Sequence, residues 1–209
     1  MTRIVKKPEE RRREILGAAR EIFRSSGYEG ATMQALMEKL QVAKGTIYHY
    51  FASKEELLEA VVEDLIDEDL QRKQKLIETP DFIALDALAK MRTLQQSALL
   101  ADENEEILEG LHHASNSAMH TRQLGSYISR LAPLYAGIIE EGCSEGVFAT
   151  QHPLECAEFL LAGIQFITDI GFFPWSEEQL LRRARAIPSL VAAQLNAPEG
   201  SFNFLVSAE

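Results

Sequence analysis

The stretch KGTIYHYFASKEEL, from Lys44 to Leu57, gathers side chains that can bind a polyanion. Tyr48 to Phe51 supply two phenol hydroxyls, an imidazole and a phenyl ring in consecutive positions, and lysines flank them. Hydroxyl and ammonium groups donate hydrogen bonds to phosphate oxygens, and some of these side chains can reach base edges in a DNA groove. The pattern favours a nucleic-acid surface over the alternative that the aromatic rings only pack between helices.

A helix from Ala43 to Tyr50 would sort these residues by face, because positions four apart lie on the same side. Ile47 and Phe51 would close a small core made by apolar residues of the preceding helices. Gly45 would let the backbone approach a base edge, and Thr46 could donate to a phosphate. The outward face would present Lys44, Gly45, Tyr48 and His49.

The surrounding segments also read as helices. Apolar residues recur every three or four positions and no alternating strand pattern is found, which predicts an all-α fold. Thr32 can cap a short helix that ends shortly before Ala43, and two short helices around a tight turn are typical of a helix-turn-helix. A helix from about Pro8 to Gly27 precedes them. Ser53 begins a capping box for a fourth helix.

The net charge of −11 by itself argues against nucleic acid, since phosphate binding needs a basic surface. The charge is unevenly distributed, however. Residues 1–57 carry eleven Lys or Arg and eight Asp or Glu, a balance of +3, so the remaining 152 residues carry −14. Such asymmetry points to a polyanion-binding end attached to a module with another task.

Cys143 and Cys156 are too few and too widely spaced for a disulfide framework or a zinc knuckle. The N-terminus shows no apolar signal segment. The longest apolar run, 159–173, is interrupted by polar residues and is too short to span a bilayer. We therefore expect a cytoplasmic protein with no membrane association.

The stretch from Ile15 to Val62, above all TIYHYFASKEEL preceded by ATMQALMEKLQVAKG, resembles the N-terminal DNA-binding domain of the TetR (tetracycline-repressor-like) family of bacterial transcriptional regulators. The resemblance covers about the first quarter of the chain, and the remainder resembles that family only in length and helix pattern. It implies a three-helix helix-turn-helix DNA-binding domain at 1–57 and a helical ligand-binding and dimerisation domain at 58–209.

The resemblance also implies roles by motif position. Thr32 would cap the second helix and meet a phosphate, and Tyr50 and Lys54 would touch the DNA backbone. The recognition surface would consist of Lys44, Gly45, Thr46, Tyr48 and His49. Gln41 and Ala43 depart from the family pattern, which often has glycine in the turn and a small hydroxyl residue two positions later. Gln41 could adopt a left-handed conformation only at some cost, and Ala43 lacks a capping hydroxyl. We therefore expect altered DNA affinity or base preference rather than loss of binding.

Long amphipathic helices packed as a bundle follow from Thr79. We expect them at about 81–101, 105–114, 117–143, 153–172 and 177–196. By resemblance, this bundle would enclose a small-molecule pocket, and a concave site needs apolar and polar side chains on adjacent helices. The candidates are Met91, Leu94, Gln95, Leu111, His112, Met119, Tyr127 and Tyr135. The alternative, that each is plain core, stays open.

Three nearby histidines, His112, His113 and His120, invite interpretation as a metal site. Adjacent histidines on a helix point about 100° apart and cannot easily reach one ion. We therefore expect no metal and no cofactor.

The residues between Phe159 and Gly171 are apolar or small on more than one face of a helix, which therefore needs partners on several sides. By resemblance, the last two long helices would form a four-helix dimer interface. The candidates are Phe159, Gly163, Phe166, Ile167, Leu181 and Leu190. The alternative is that both helices belong to an ordinary monomer core.

Together these features predict a homodimeric repressor that binds a palindromic operator and is released by a small-molecule effector. The fourth helix, from Ser53 to Ile77, would carry the signal between the domains. One alternative is a helix-turn-helix protein that docks on a protein partner without an effector. The other is an α-helical enzyme, but the sequence has no Glu-x-x-His pair, glycine-rich phosphate loop or nucleophile elbow, so we expect no enzyme.

Overall fold

The computed structural model describes residues 7–97 and 104–206, while residues 1–6, 98–103 and 207–209 lie outside its described part. Within the described residues every regular element is a helix and there is no strand, which confirms the all-α prediction. None of the described helices has both the length and the apolar composition needed to cross a bilayer.

The helices follow one another with short connections. In chain order they are α1 Pro8–Gly30, α2 Met33–Leu40, α3 Lys44–Tyr50, α4 Lys54–Ile77, α5 Pro80–Ile83, α6 Ala87–Gln96, α7 Glu105–Glu109, α8 Ser117–Ser144, α9 Pro153–Thr168 and α10 Glu177–Leu195. Short 3-10 turns occupy Gly110–His112, Ala114–Asn116 and Asn203–Leu205.

The chain divides into two compact units. The first comprises the described residues up to Asp67 together with those from 104 to Gln123. The second comprises the described residues from Glu68 to 97 and those from Leu124 onward. The helices α4 and α8 each contribute to both units. The domain boundary expected between residues 57 and 58 stays a prediction.

Side-chain caps set the starts of two helices in the first unit. The Thr32 hydroxyl accepts from the Ala35 N–H at 3.0 Å, which satisfies one of the free donors at the start of α2. Ser53 accepts from the Glu56 N–H at 3.2 Å, and Glu56 accepts from the Ala52 N–H at 2.6 Å. The predicted cap of α4 therefore forms, although the glutamate reaches one residue further back than in the usual capping box.

The core of the first unit fixes the rotation of α3. Ile47 and Phe51 are almost completely buried, together with Phe23 of α1 and Leu36 of α2. Burying an apolar side chain of this size stabilises the fold by about 1.5–3 kcal/mol relative to leaving it in water. The burial of Ile47 on α3 and of Phe51 directly after it therefore outweighs any preference of the polar residues of α3 for another orientation.

Two predicted helices are interrupted in the structure. The helix expected at 81–101 is divided into α5 and α6, because the Asp86 side chain caps α6 by accepting from the Ala89 N–H at 2.8 Å. Its expected end, 98–101, lies outside the described residues. The helix expected at 105–114 is only α7 followed by a 3-10 turn. The longer helices agree with their predicted bounds to within about one turn.

The second unit packs its helices around one apolar core. Leu94, Ile139 and Leu195 are among its most completely buried members. Phe148, in the connection after α8, stacks on Phe202 with ring centroids 5.9 Å apart. Because protein interiors are close-packed, the connection has to approach α8 closely to seat this ring.

This close approach predicts that one added methyl group on α8 has a large effect on the free energy of unfolding. A Cβ at Gly142 of α8 would overlap the Phe148 ring, whereas a Cβ at Gly137 of the same helix meets no atom within 4 Å. We expect Gly142→Ala to lower the free energy of unfolding by about 1–3 kcal/mol, as overpacking does. Gly137→Ala should raise it by about 0.5–1 kcal/mol, because alanine favours a helix. Urea denaturation at fixed protein concentration measures both, and an equal effect of the two changes would contradict this packing.

Candidate functional site

The outward face of α3 carries the residues predicted to bind DNA. Ile47 and Phe51 lie in the core. The opposite side is exposed, and its residues are Lys44, Gly45, Tyr48 and His49. Tyr48 leaves 41% of its surface accessible, which is high for a large aromatic side chain. The predicted division of α3 by face is confirmed, while the binding role of its outer face stays a prediction.

Contacts within α3 hold part of this face in place. The Lys44 ammonium lies 5.3 Å from the centre of the Tyr48 ring, within range of a cation–π interaction. The rings of His49 and Tyr50 meet edge to face with centroids 5.1 Å apart. Thr46 and Tyr50 are half-buried. The helix thus presents an ammonium, a phenol and an imidazole close together.

Thr32 and Lys54 stand at the starts of α2 and α4. Because the Thr32 oxygen accepts from the helix backbone, its own O–H remains able to donate, as a phosphate contact requires. Lys54 is more constrained, since Nζ donates to the Tyr28 carbonyl oxygen at 2.9 Å and lies 4.0 Å from the centre of the Tyr28 ring. A phosphate contact of Lys54 would have to use the remaining N–H groups of its ammonium. The contacts with Tyr28 tie α4 to the last part of α1.

The turn between α2 and α3 contains the two residues that depart from the expected pattern. Gln41 adopts φ 52° and ψ 44°, the left-handed conformation, which costs a residue with a side chain about 1–2 kcal/mol. Ala43 precedes α3 and makes no side-chain capping bond. The helix-turn-helix geometry therefore forms with both residues in place, at a small cost in stability.

A cavity of about 270 Å³ lies within the second unit. Its volume is just below the range of about 300–1,000 Å³ usual for drug-sized ligands. The lining is mainly apolar, and its polar members are Lys73, Gln95, Tyr127, Tyr135 and Gln165. An apolar cavity with a few polar groups suits a small molecule that is itself largely apolar.

Half of the residues predicted to form a pocket line this cavity. They are Met91, Gln95, Tyr127 and Tyr135. Leu94 is instead fully buried in the core of the same unit. Leu111, His112 and Met119 belong to the first unit, so the cavity does not include them. The sequence grouped these residues because all of them lie on segments that mix apolar and polar positions.

A buried ion pair on α4 contributes to the cavity wall. Lys73 Nζ donates to both carboxylate oxygens of Asp69 at 2.7 Å, and neither side chain exposes more than 1% of its surface. Tyr127 donates to Oδ2 at 3.0 Å, and Arg72 donates to Oδ1 at 3.1 Å. Each carboxylate oxygen therefore accepts two hydrogen bonds, which offset the free energy lost when the charges leave water.

The two tyrosines of the cavity remain protonated at neutral pH. Burial raises the pKa of Tyr127 well above its ordinary value, and the negative charge of Asp69 raises that pKa further. The same two causes, in the same order, raise the pKa of Tyr135. Both hydroxyls consequently keep their protons, and that of Tyr127 is donated to Asp69, so Tyr135 has the hydroxyl that is available as a donor.

Asp69 and Lys73 were not among the predicted site residues. Their spacing of four places them on one side of a helix. Lys73 also follows Ile66 and Leu70 at helical spacing, on the apolar side of α4. An acidic and a basic residue four apart on an apolar face indicate a buried pair, and this signal was present in the sequence.

The three histidines considered as metal ligands have different neighbours within the first unit. The Nε2 atom of His113 lies 2.8 Å from the Glu29 carboxylate, and its ring centroid lies 5.3 Å from that of Tyr28. His112 instead packs against His120, with ring centroids 5.3 Å apart. The adjacent histidines therefore point in different directions, although not for the predicted reason, because His112 ends a 3-10 turn and the backbone of His113 is extended.

The helices α9 and α10 expose a set of apolar side chains in the second unit. Phe159 and Leu190 leave 67% and 63% of their surfaces accessible. The other residues predicted for the interface are also exposed, namely Gly163, Phe166, Ile167 and Leu181. We call these six residues the α9/α10 surface. Single exposed apolar residues are ordinary, but several on two helices that pack together indicate an interaction site.

Aromatic contacts hold the connection between α9 and α10. The Trp175 indole donates to the Ile167 carbonyl oxygen at 3.0 Å, and the Arg183 guanidinium lies 3.3 Å from the centre of the Trp175 ring. Phe166 packs on Phe172 with ring centroids 4.8 Å apart. These contacts join the start of α10 to the end of α9, which keeps their exposed residues in a fixed relation.

Comparison with known families gives two matches that cover different parts of the chain. Residues 15–61 match the family described as "Bacterial regulatory proteins, tetR family". Residues 100–189 match "Tetracyclin repressor-like, C-terminal domain". The first match contains α2 and α3 with the turn between them, and the second contains α8 and α9.

Individual proteins resemble the chain over different lengths. The HTH-type transcriptional regulator UidR of Escherichia coli is 39% identical over 72 residues, which are 34% of this chain and 37% of UidR. The chain therefore matches little more than a third of the length of UidR. The HTH-type transcriptional repressor KstR2 of Rhodococcus jostii is 20% identical over 192 residues, which cover 90% of this chain and 92% of KstR2.

A solved structure shares the fold. The crystal structure of a TetR-family transcriptional regulator from Pectobacterium atrosepticum superposes with a TM-score of 0.66 at 23% sequence identity. The superposition covers 93% of this chain and 100% of the other. At this identity the likeness concerns the fold alone.

Proposed function

The chain belongs to the TetR family of bacterial transcriptional regulators, and we propose that this DNA-binding regulator is a homodimeric repressor, released from a palindromic operator by a small-molecule effector. The observation that carries the proposal is the outward face of α3, which exposes Tyr48 and His49 while Ile47 is buried beneath them. The word repressor in the name of KstR2 supports the direction of regulation. Because bacterial DNA lies in the cytoplasm, we propose that the protein acts there. We propose no catalytic activity.

Recognition of DNA follows from the chemistry of that face. Lys44 supplies positive charge for phosphates, and the Tyr48 hydroxyl can donate to a phosphate or a base. Gly45 has no atom within 4 Å of a Cβ placed on it, so its helix surface is open to a close approach. The balance of +3 in residues 1–57 supports the same role, in contrast to the acidic remainder of the chain.

A salt titration tests the phosphate contacts. Binding of a mixed-sequence DNA duplex, measured by fluorescence anisotropy, should weaken steeply as salt rises, because each phosphate contact releases counterions. Lys44→Ala should reduce the slope of log affinity against log salt by about one for each Lys44 that meets a phosphate. Lys75→Ala is the matched control, because Lys75 is exposed on α4 in the second unit and should leave the slope unchanged. A flat salt response of the wild type would contradict DNA binding through this face.

Dimerisation is supported by the α9/α10 surface. A lone chain would leave Phe159 and Leu190 largely in water, and a symmetric partner would bury them against the same residues of a second copy. A two-fold dimer would present two α3 helices to DNA. Related dimers read half-sites about 34–36 Å apart or at multiples of that distance, which is why a palindromic operator accompanies this symmetry.

Charge placed in the proposed interface should separate the subunits. In the double variant Phe159→Glu with Leu190→Glu, carboxylates would be buried without partners, each at a cost of about 3–5 kcal/mol. We expect the dissociation constant of the dimer, measured by sedimentation equilibrium, to rise at least about a hundredfold. Ile83→Glu changes an equally exposed apolar residue outside this surface and should leave the dimer intact. A wild-type protein that sediments as a monomer, or a double variant that remains a dimer, would contradict the interface.

Release by an effector is supported by the cavity of the second unit. A ligand shifts the equilibrium between DNA-competent and incompetent conformations only if it binds the incompetent one more tightly. The helix α4 offers a continuous route for this coupling, because it bears Lys73 at the cavity and begins at Lys54, which is bonded to Tyr28. Movement of α4 as a rigid element would then displace α3 from its operator.

A further inference from the structure

The charged group in the cavity wall is already paired. Among the described residues that line it, Lys73 alone is charged, and its ammonium is matched by Asp69 at 2.7 Å. Arg72, which is partly exposed, also donates to Asp69. A ligand that brought its own buried charge would therefore have to desolvate that charge without a free counter-ion in the wall.

The Asp69 carboxylate has no room for a further donor. Its Oδ1 accepts from Lys73 and Arg72, and its Oδ2 accepts from Lys73 and Tyr127. Both oxygens thus have both lone pairs in use. A cationic or amine ligand would have to break one of these bonds to reach the carboxylate, which argues against ligands of that class.

Donors, in contrast, remain available in the cavity wall. An ammonium has three N–H groups, and Lys73 uses two of them on Asp69. The Tyr135 hydroxyl, which also lines the cavity, forms no hydrogen bond with any residue in the described part of the chain. Burial raises its pKa, so it keeps its proton. Lys73 and Tyr135 therefore each offer an unused donor, beside the amide groups of Gln95 and Gln165, in mainly apolar surroundings.

We propose that the cavity recognises uncharged carbonyl compounds, such as ketones and esters, whose carbonyl oxygen accepts a hydrogen bond from Lys73 Nζ while their apolar part fills the remaining space. A carbonyl oxygen supplies an acceptor without adding a charge. The Tyr135 hydroxyl is a second donor for the same oxygen or for another acceptor of the ligand. A carboxylate would meet the same donors but would bring a second negative charge close to Asp69. This inference rests on the proposed effector role of the cavity and specifies the chemistry of the effector.

Four probes of similar size separate the possible ligand classes. They are methyl hexyl ketone, its alcohol methyl hexyl carbinol, octanoate and octylamine. Affinities for the full-length protein come from ligand-observed NMR titration, which suits weak binding. A hydrogen bond from a charged donor strengthens binding by about tenfold or more, so the ketone should bind about tenfold more tightly than octylamine, whose ammonium cannot accept one. Octanoate can accept from the same donors, but its charge must leave water and lie close to Asp69, so it too should bind more weakly than the ketone. The carbinol should also bind more weakly than the ketone. Equal affinities, tighter binding of octanoate or octylamine, or no binding of the ketone would overturn the proposal.

Variants assign the effect to the named donors. Asp69→Leu combined with Lys73→Met removes the donor while replacing the ion pair with apolar groups of similar size, a change that folded proteins often tolerate. It should lower the ketone affinity about tenfold. Tyr135→Phe removes a single hydroxyl and should lower it about fivefold. Lys75→Met is the control on the same helix and should change nothing, since Lys75 does not line the cavity. Thermal unfolding followed by circular dichroism checks that each variant is folded.

If the double variant does not fold, Tyr135→Phe decides the question. If Tyr135→Phe then leaves the ketone affinity unchanged, the proposal is overturned. If the double variant does fold, a ketone affinity that it leaves unchanged would overturn the proposal as well. DNA affinity is measured separately, with and without the ketone. Ketone binding that depends on Lys73 and Tyr135 but leaves DNA affinity unchanged would support carbonyl recognition and would contradict release by an effector.

Discussion

The burial of Ile47 and Phe51 is the constraint on which the rest of the molecule depends. Ile47 lies on α3 and Phe51 directly follows it, and their place in the core leaves the helix only one orientation. Lys44, Tyr48 and His49 are therefore exposed as a consequence of packing. No side chain of the outward face has to stabilise the fold, so this face is free to serve recognition.

The fold could be predicted from the sequence wherever the signal is local. Ile47 and Phe51 divide α3 by face through spacing alone, and Thr32 and Ser53 cap helices through hydrogen bonds that span three residues. A capping box of Ser176 with Gln179 forms at the start of α10 through contacts of the same local kind. Each of these features depends on neighbours within one helical turn, which a single sequence contains.

The cavity could be predicted only in part, because its walls come from segments far apart in the chain. Tyr127 meets Asp69 across 58 positions, and no helical period relates them. The same limit explains why Leu111 and Met119 were grouped with Tyr135, since the segment that follows α6 joins the first unit rather than the second. The break at Asp86 was missed because an aspartate within an amphipathic pattern can be either a cap or an exposed helix residue.

Selection of random duplex DNA by the purified protein, followed by sequencing, tests the central claim most directly, with Tyr48→Ala selected in parallel. The outward face of α3 and a two-fold dimer together predict that the wild type enriches an inverted repeat. The Tyr48→Ala variant should fail to enrich this repeat while remaining a folded dimer, because Tyr48 belongs to neither core. Enrichment of the same repeat by both proteins would contradict the role of this face, and a single unrepeated site would contradict the symmetric dimer.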